Sequence, residues 1–142
     1  MRLVLDTTVF VAALRSGKGA SRELLTAALE KRFDLLISVP LMIEYESVLM
    51  RPEHREAAGL STKEMTVILD AIASVAEPIR LSFLWRPILR DPDDDMVLET
   101  AANGLADYLV TFNQRDFKDA STTLGIQTGR PGNVLREFRR KP

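Results

Sequence analysis

Short apolar segments alternate with helical patterns along the chain, and this alternation restricts the fold more than any other feature of the sequence. Strand-like runs occupy residues 3–5, 35–37 and 108–111, and weaker ones surround residues 79–81 and Ile126. Between them, apolar residues recur at helical spacing. Because parallel strands need a crossover, usually a helix, we expect an α/β fold with a mostly parallel sheet covered on both faces.

Serine and proline positions predict where several helices begin and end. Residues 61–64, Ser-Thr-Lys-Glu, form a capping box that opens the clearest helix of the chain. Pro40 and Pro92 suit the first turns of their helices. We expect Ser21 to cap the helix that follows the first strand, and Pro78 to close the capping-box helix.

The size and composition of the chain fit a single domain over residues 1–142. Hydrophobic residues make up 46% of the 142 residues, enough for one sizeable core. The 19 basic and 20 acidic side chains give a formal net charge of -1, so no global field attracts nucleic acid or an anionic membrane. The absence of cysteine and the single histidine exclude disulfides, thiolate sites and any site that needs two histidines.

No segment of the sequence predicts a membrane span or a signal peptide. The longest apolar stretch, residues 35–43, is interrupted by Ser38 and Pro40 and falls short of the roughly 20 residues that cross a bilayer. The first apolar run ends already at Asp6. We therefore expect a soluble protein of the cytoplasm, without a membrane partner.

Polar residues follow two of the predicted strands at their carboxyl ends. Asp6 comes directly after residues 3–5, and Asn113 and Asp116 come shortly after residues 108–111. Parallel sheets bind ligands beyond the carboxyl ends of their strands. We therefore expect these side chains to share one edge of the sheet.

Four carboxylates within residues 91–95, Asp-Pro-Asp-Asp-Asp, mark the start of a predicted helix. Capping explains one or two of them at ~0.3–1 kcal/mol, whereas like charges about 4 Å apart repel by ~4 kcal/mol near a protein surface. A divalent cation relieves this repulsion, and oxygen ligands favour Mg²⁺ or Mn²⁺. Asp95, about one turn inside the helix, is the favoured ligand. Asp6 is also a candidate metal ligand, but it has an alternative role, which is to cap the segment that begins at Thr7.

Four other polar residues have less distinctive positions in the sequence. Glu44 and Glu46 both interrupt an apolar helix, and periodicity does not decide which of them faces the sheet edge. Glu99 is expected to be a surface charge. His54, in a loop-like stretch, is expected to be a surface residue.

Because its net charge is -1, this chain would need a local basic surface to hold a phosphate group. Contacts with phosphates supply most of the sequence-independent affinity for nucleic acid. Basic residues soon after the first strand are expected to make these contacts: Arg15, Lys18 and Arg22.

Four separated motifs together resemble the PIN domain family. They are residues 4–9 (Val-Leu-Asp-Thr-Thr-Val), 44–45 (Glu-Tyr), 91–95, and 109–117 (Leu-Val-Thr-Phe-Asn-Gln-Arg-Asp-Phe). Within the family, the motifs look like those of the VapC-like toxins of bacterial and archaeal toxin-antitoxin pairs. It implies a three-layer α/β/α sandwich and a ribonuclease site that depends on Mg²⁺ or Mn²⁺. It also implies a cognate antitoxin, and often a homodimer.

The resemblance assigns the acidic residues of the site by position. The first acid of the family corresponds to Asp6, the second to Glu44 and the third to Asp95, and these three are the expected metal ligands. Asp93 is given a supporting role beside Asp95. The choice of Glu44 over Glu46 therefore rests on the resemblance alone.

Two positions depart from the pattern of the family. Thr8 stands where many relatives have Asn, and its hydroxyl can still bond within the site. Asn113 stands where many relatives have a fourth acid, so we expect one tightly held cation, with Asn113 supporting the site. Asp116, three residues later, is the candidate for the missing catalytic acid, although it can also cap the following turn.

The predicted reaction is hydrolysis of an RNA phosphodiester by water that a bound cation activates, which requires no histidine base. One alternative is an aspartate-nucleophile phosphatase, which usually has a second Asp where this chain has Thr8. Another is an inactive PIN-like module that binds RNA or a partner protein.

Overall fold

Five short parallel strands form the central sheet of the computed structural model, which describes residues 1–82 and 92–140, without the side chains at 92–94, 119–121 and 123. The strands are β1 (Arg2–Leu5), β2 (Asp34–Ile37), β3 (Glu77–Pro78), β4 (Tyr108–Val110) and β5 (Thr128–Gly129). Their order in the sheet is β3-β2-β1-β4-β5, and every pair is parallel. The predicted mostly parallel sheet is confirmed.

Helices connect successive strands throughout the described part of the chain. The helices are α1 (Thr7–Arg15), α2 (Ala20–Leu29), α3 (Val39–Leu49), α4 (Pro52–Ala57), α5 (Thr62–Val75), α6 (Pro92–Asn103), α7 (Gln114–Leu124) and α8 (Pro131–Arg140). In these ranges no helix has both the length and the apolar character needed to cross a membrane.

The strand order creates a switch point beside β1. The chain moves from β1 to β2 on one side, and it later adds β4 and β5 on the other side. Because crossovers are right-handed, connections that move in opposite directions place their helices on opposite faces. Accordingly α1, α2 and α8 pack in one layer, while α6 packs on β1 and contacts α7. This is the predicted α/β/α sandwich, and its ligand crevice is expected between the carboxyl ends of β1 and β4.

The last three residues of the central strand β1 are fully enclosed by this arrangement. Leu3, Val4 and Leu5 have no exposed surface. The rings of Phe10 from α1 and Tyr45 from α3 pack edge to face beyond the strand, with centroids 4.5 Å apart. The first residue after β1 is therefore held by a rigid core.

The strongest helix signals of the sequence are confirmed. The Ser61 hydroxyl accepts a bond from the backbone N–H of Glu64 at 3.1 Å, and the Glu64 carboxylate accepts one from the N–H of Ser61 at 3.0 Å. Pro92 begins α6, and Pro40 lies in the first turn of α3.

Other predicted boundaries were wrong. Ser21 is buried inside α2 and does not cap it, because Gly19, with a φ of 102°, allows the helix to begin at Ala20. Pro78 does not end α5, which stops at Val75, but lies in β3. As an edge strand, β3 can include a residue without an N–H.

Two further segments differ from their predictions. The strand expected at residues 79–81 is β3, two residues earlier, although the N–H of Ile79 still bonds the Ile37 carbonyl at 2.9 Å. Ile126 precedes β5 and does not lie in it. The stretch around His54 is the helix α4 and not a loop, and His54 is only partly exposed.

Close packing between β5 and α8 yields a test of the fold. A Cβ added at Gly129 would lie 2.6 Å from Cγ2 of Val134, so we expect Gly129→Ala to destabilise the protein by about 1–3 kcal/mol through overpacking. Gly132→Ala is the matched control, because no atom lies within 4 Å of its added Cβ. Urea unfolding measures both variants, and equal stability would contradict this packing.

Candidate functional site

The Asp6 carboxylate lies at the switch point, at the carboxyl end of β1. The backbone N–H of Asp6 bonds the Val110 carbonyl at 2.9 Å and extends the β1–β4 ladder by one residue. Asp6 is also the N-cap residue of α1, but its side chain makes no capping bond. Instead, its Oδ2 accepts bonds from the hydroxyls of Thr111, at 2.8 Å, and Thr8, at 3.1 Å. The capping alternative therefore does not account for this carboxylate.

Thr111 is a site residue that the sequence interpretation assigned only to a strand. It is fully buried, and its hydroxyl donates to Asp6 while accepting the backbone N–H of Asn113 at 3.0 Å. Its own N–H bonds the Gly129 carbonyl at 2.9 Å. The sequence signal for this role was the position of Thr111, a hydroxyl residue at the carboxyl end of a predicted strand, where ligands of parallel sheets bind.

The surroundings of Asp6 determine how readily it ionises. Burial raises the pKa of the Asp6 carboxyl above its ordinary value of 3.8. The hydroxyl bonds from Thr111 and Thr8, and the adjacent backbone N–H of Thr7, lower this pKa, and the negative charge of Asp116 raises it. The hydrogen bonds therefore offset only part of the effect of burial on the Asp6 pKa, and a nearby positive charge would favour the ionised carboxylate.

Asp116 belongs to the same local electrostatic system. It lies in the first turn of α7, and its N–H bonds the Asn113 carbonyl at 3.0 Å. Asp116 is exposed, yet its charge acts on Asp6, which has only 5% of its surface exposed. Of the predicted residues, the structure joins Thr8 to Asp6 by a hydrogen bond, and the negative charge of Asp116 raises the pKa of Asp6.

Tyr45 fixes α3 against the end of β1. Its hydroxyl donates to the Leu5 carbonyl, one residue before Asp6, at 2.5 Å. Burial, reinforced by the charge of Asp6, raises the pKa of Tyr45 well above its ordinary value of 10.0. The phenol therefore remains a donor at neutral pH, and the neighbouring Glu44 is carried on a helix that is anchored to β1.

The two glutamates of α3 differ in exposure. Glu44 is partly buried, whereas Glu46 is exposed. At the start of the same helix, the Ser38 hydroxyl caps α3 and also bonds the Thr100 hydroxyl of α6 at 2.7 Å. This buried bond connects the helix of Glu44 to the helix of Asp95.

Among the described side chains of α6, two acidic residues are buried. Asp95 has 2% of its surface exposed, and Glu99, one turn later on the same side of the helix, has none. The expectation that Glu99 is a surface charge was wrong. The i, i+4 spacing from Asp95 was the sequence signal for its orientation. The side chain of Asp93 and the whole of Asp91 lie outside the described residues.

The donor chemistry of this edge suits a hard divalent cation. Carboxylate and hydroxyl oxygens are present, and the negative charges of Asp6 and Asp116 repel each other. Among the residues that the structure describes, however, no three histidine or acidic side chains converge closely enough to hold an ion. The expected grouping of Asp6, Glu44 and Asp95 therefore stays a prediction.

The first of the basic residues expected to hold phosphates, Arg15, lies at the end of α1 that is remote from Asp6. Arg15 lies in the last turn of α1, roughly 12 Å along the helix from Thr7 at 1.5 Å per residue. Arg22 donates from its guanidinium to the Ala13 carbonyl at 3.1 Å, which stabilises the end of α1. Their sequence proximity to Asp6 is therefore a poor guide to their position.

The raised pKa of Asp6 predicts how stability depends on pH. A protonated Asp6 favours folding fully below pH 3.8, and this contribution is lost as the pH rises through the higher pKa of the folded state. Asp6→Asn removes the charge and keeps an acceptor oxygen. In EDTA we expect it to melt at a higher temperature than the wild type at pH 7, with the gap narrowing at acid pH.

Circular dichroism during heating measures this difference. Asp70→Asn is the control, because it removes an exposed carboxylate from α5. A lower melting temperature for Asp6→Asn at pH 7 would show that the charge of Asp6 stabilises the fold.

Comparison with known proteins identifies the family of the chain. The sequence model described as PIN domain matches residues 2–115, so the chain belongs to the PIN domain family. The match includes Asp6, Glu44 and Asp95 and ends one residue before Asp116. No curated protein matches the sequence. The family supplies a nuclease-type fold and typically uses divalent metals.

Proposed function

We propose that this PIN domain is an endoribonuclease that depends on Mg²⁺ or Mn²⁺ and hydrolyses RNA phosphodiester bonds. The observation that carries the proposal is the buried Asp6 carboxylate, which Thr111 and Thr8 orient at the switch point of the sheet. A parallel sheet binds its ligand at this location. A buried carboxylate beside a second negative charge is a site that a cation would stabilise.

Three carboxylates would hold the cation: Asp6, Glu44 and Asp95. A bound cation would lower the pKa of a water molecule and neutralise charge that develops on the phosphate. Glu44 is partly buried on α3, the helix that Tyr45 anchors to the Leu5 carbonyl at the end of β1. Active-site contacts often tighten only when the site is filled.

The protein itself would position these groups before substrate arrives. Thr111 and Thr8 fix one oxygen of Asp6, and Tyr45 fixes the carbonyl that precedes it. Asn113 is tied to Thr111 through its N–H. Such preorganisation reduces the rearrangement needed during reaction.

Asp116 and Asp93 complete the proposed set. The negative charge of Asp116 raises the pKa of Asp6. We propose Asp116, in the first turn of α7, as the catalytic acid that follows β4. Asp93 would support Asp95 from the first turn of α6. An aspartate-nucleophile phosphatase usually has a second Asp at the position of Thr8. Here the Thr8 hydroxyl donates to Asp6 instead, and it cannot serve as a general acid in the way a carboxyl would.

The biological role that we propose is that of a VapC-like toxin in the cytoplasm, inhibited by a cognate antitoxin and able to form a homodimer. The motifs at residues 4–9, 44–45, 91–95 and 109–117 support this role through their resemblance to such toxins. Coexpression with the product of a neighbouring small gene tests it. A stable complex that suppresses RNA cleavage is the expected result.

Substitution of the acids tests the reaction. In the presence of Mn²⁺ we expect Asp6→Asn, Asp95→Asn and Glu44→Gln each to slow cleavage of single-stranded RNA at least about 100-fold, the scale of losing an electrostatic contribution to catalysis. Glu46→Gln is the matched control on α3 and should keep activity within about twofold. Initial rates on a labelled RNA, with circular dichroism to verify folding, provide the measurement.

Several results would exclude the proposed chemistry. Undiminished cleavage in folded Asp6→Asn or Asp95→Asn would remove that residue from the reaction. Cleavage that persists in EDTA would rule out metal dependence. No calorimetric Mn²⁺ binding and no cleavage by the intact protein would favour a binding module, whereas an acyl-phosphate trapped on Asp6 would favour the phosphatase alternative.

A further inference from the structure

A groove with a basic lining lies between α7 and β5, outside the acidic site. Its volume is about 380 Å³. The residues that line this α7–β5 groove are Gln114, Arg115, Lys118, Thr122, Ile126 and Thr128. Of these described lining residues, two are cationic and none is acidic.

The geometry of α7 explains the composition of the groove. Gln114, Lys118 and Thr122 recur at intervals of four residues and therefore share one side of the helix, with Arg115 beside them. Gln114 donates from its Nε2 to the carbonyl and the hydroxyl of Thr128, both at 3.3 Å. These bonds fix the first turn of α7 to β5 and give the groove a defined end.

The same turn of α7 connects the groove to the acidic site. Gln114 and Arg115, at one end of the groove, follow Asn113, whose N–H bonds the Thr111 hydroxyl that donates to Asp6. This end of the groove is therefore within two residues of the bonds around Asp6, and the groove extends along α7 toward Thr122. In contrast, Arg15 lies at the end of α1 that is remote from Asp6.

The lining chemistry suits a nucleotide with its phosphate. Arginine and lysine neutralise phosphate charge, which provides sequence-independent affinity for nucleic acid. The Thr122 hydroxyl donates to the Lys118 carbonyl at 2.9 Å, and the Thr128 hydroxyl accepts from Gln114, so Thr122 can still accept a bond from a sugar hydroxyl or base and Thr128 can still donate one. Ile126 offers an apolar surface to a base. Cations here would also offset the repulsion between an RNA strand and the acids of the site.

We propose that the α7–β5 groove binds a phosphate and the adjacent nucleotide of single-stranded RNA, next to the bond that is cut at Asp6. Arg115 and Lys118 contact the phosphate, and the strand leaves the acidic site over α7 instead of over α1. This inference rests on the proposed ribonuclease function, but it concerns binding and can be tested without cleavage.

The test measures binding in an Asp6→Asn background, where the substrate stays intact. Fluorescence anisotropy follows a labelled single-stranded RNA of mixed sequence while the salt concentration is varied. We expect Arg115→Gln/Lys118→Gln to weaken binding roughly tenfold or more, and to reduce the slope of log K against log salt by about 0.7, the value for one lost phosphate contact on a single strand. Arg136→Gln/Arg140→Gln on α8 removes the same charge from exposed positions and serves as the control.

Three results would overturn the groove proposal. They are an equal loss of affinity in the control, no RNA binding by Asp6→Asn, and a loss in Arg15→Gln/Lys18→Gln with none in Arg115→Gln/Lys118→Gln.

The two proposals fail separately. If the wild type cleaves no RNA while Arg115 and Lys118 still control binding, the ribonuclease proposal fails and the groove stands. If the wild type cleaves RNA and Arg115→Gln/Lys118→Gln binds like the control, only the groove proposal fails.

Discussion

Burial of the Asp6 carboxylate at the end of the central strand governs the arrangement of the site. Removing this charge from water opposes ionisation, and burial is the largest influence on its pKa. Two threonine hydroxyls support the charge, from Thr8 on α1 and from Thr111 after β4. Since Thr111 also accepts the Asn113 N–H, the loop that leads to Asp116 is positioned by the same bond network. The hydrogen bonds that stabilise the buried Asp6 charge thus connect the carboxyl ends of β1 and β4.

The helices that contain the other proposed ligands are connected to this centre by buried polar contacts. Tyr45 joins α3 to the Leu5 carbonyl, and Ser38 joins α3 to Thr100 of α6. Buried polar groups need partners, so these contacts restrict how the helices can be oriented. Glu44 and Asp95 are therefore positioned by their helices even though the described acids do not converge on an ion. A cation would complete a site whose helices these buried bonds already connect.

Local sequence signals predicted the fold well where short-range physics decides it. The capping box at Ser61 and the helix start at Pro92 depend on residues within one turn, and both predictions were confirmed. The position of Pro78 in β3 depends instead on pairing with β2, which no local pattern contains. Similarly, the hydroxyl of Thr111 gains its role only because β4 lies beside β1. Burial of Glu99 likewise follows from packing of α6 against the sheet.

The central claim is that Asp6 holds a divalent cation at the switch point between β1 and β4. Anomalous X-ray diffraction from crystals grown with Mn²⁺ tests this most directly, because the signal locates the metal without reference to activity. We expect an anomalous peak about 2.1 Å from a carboxylate oxygen of Asp6. Full occupancy of Mn²⁺ elsewhere on the protein, with no peak at Asp6, would contradict the account.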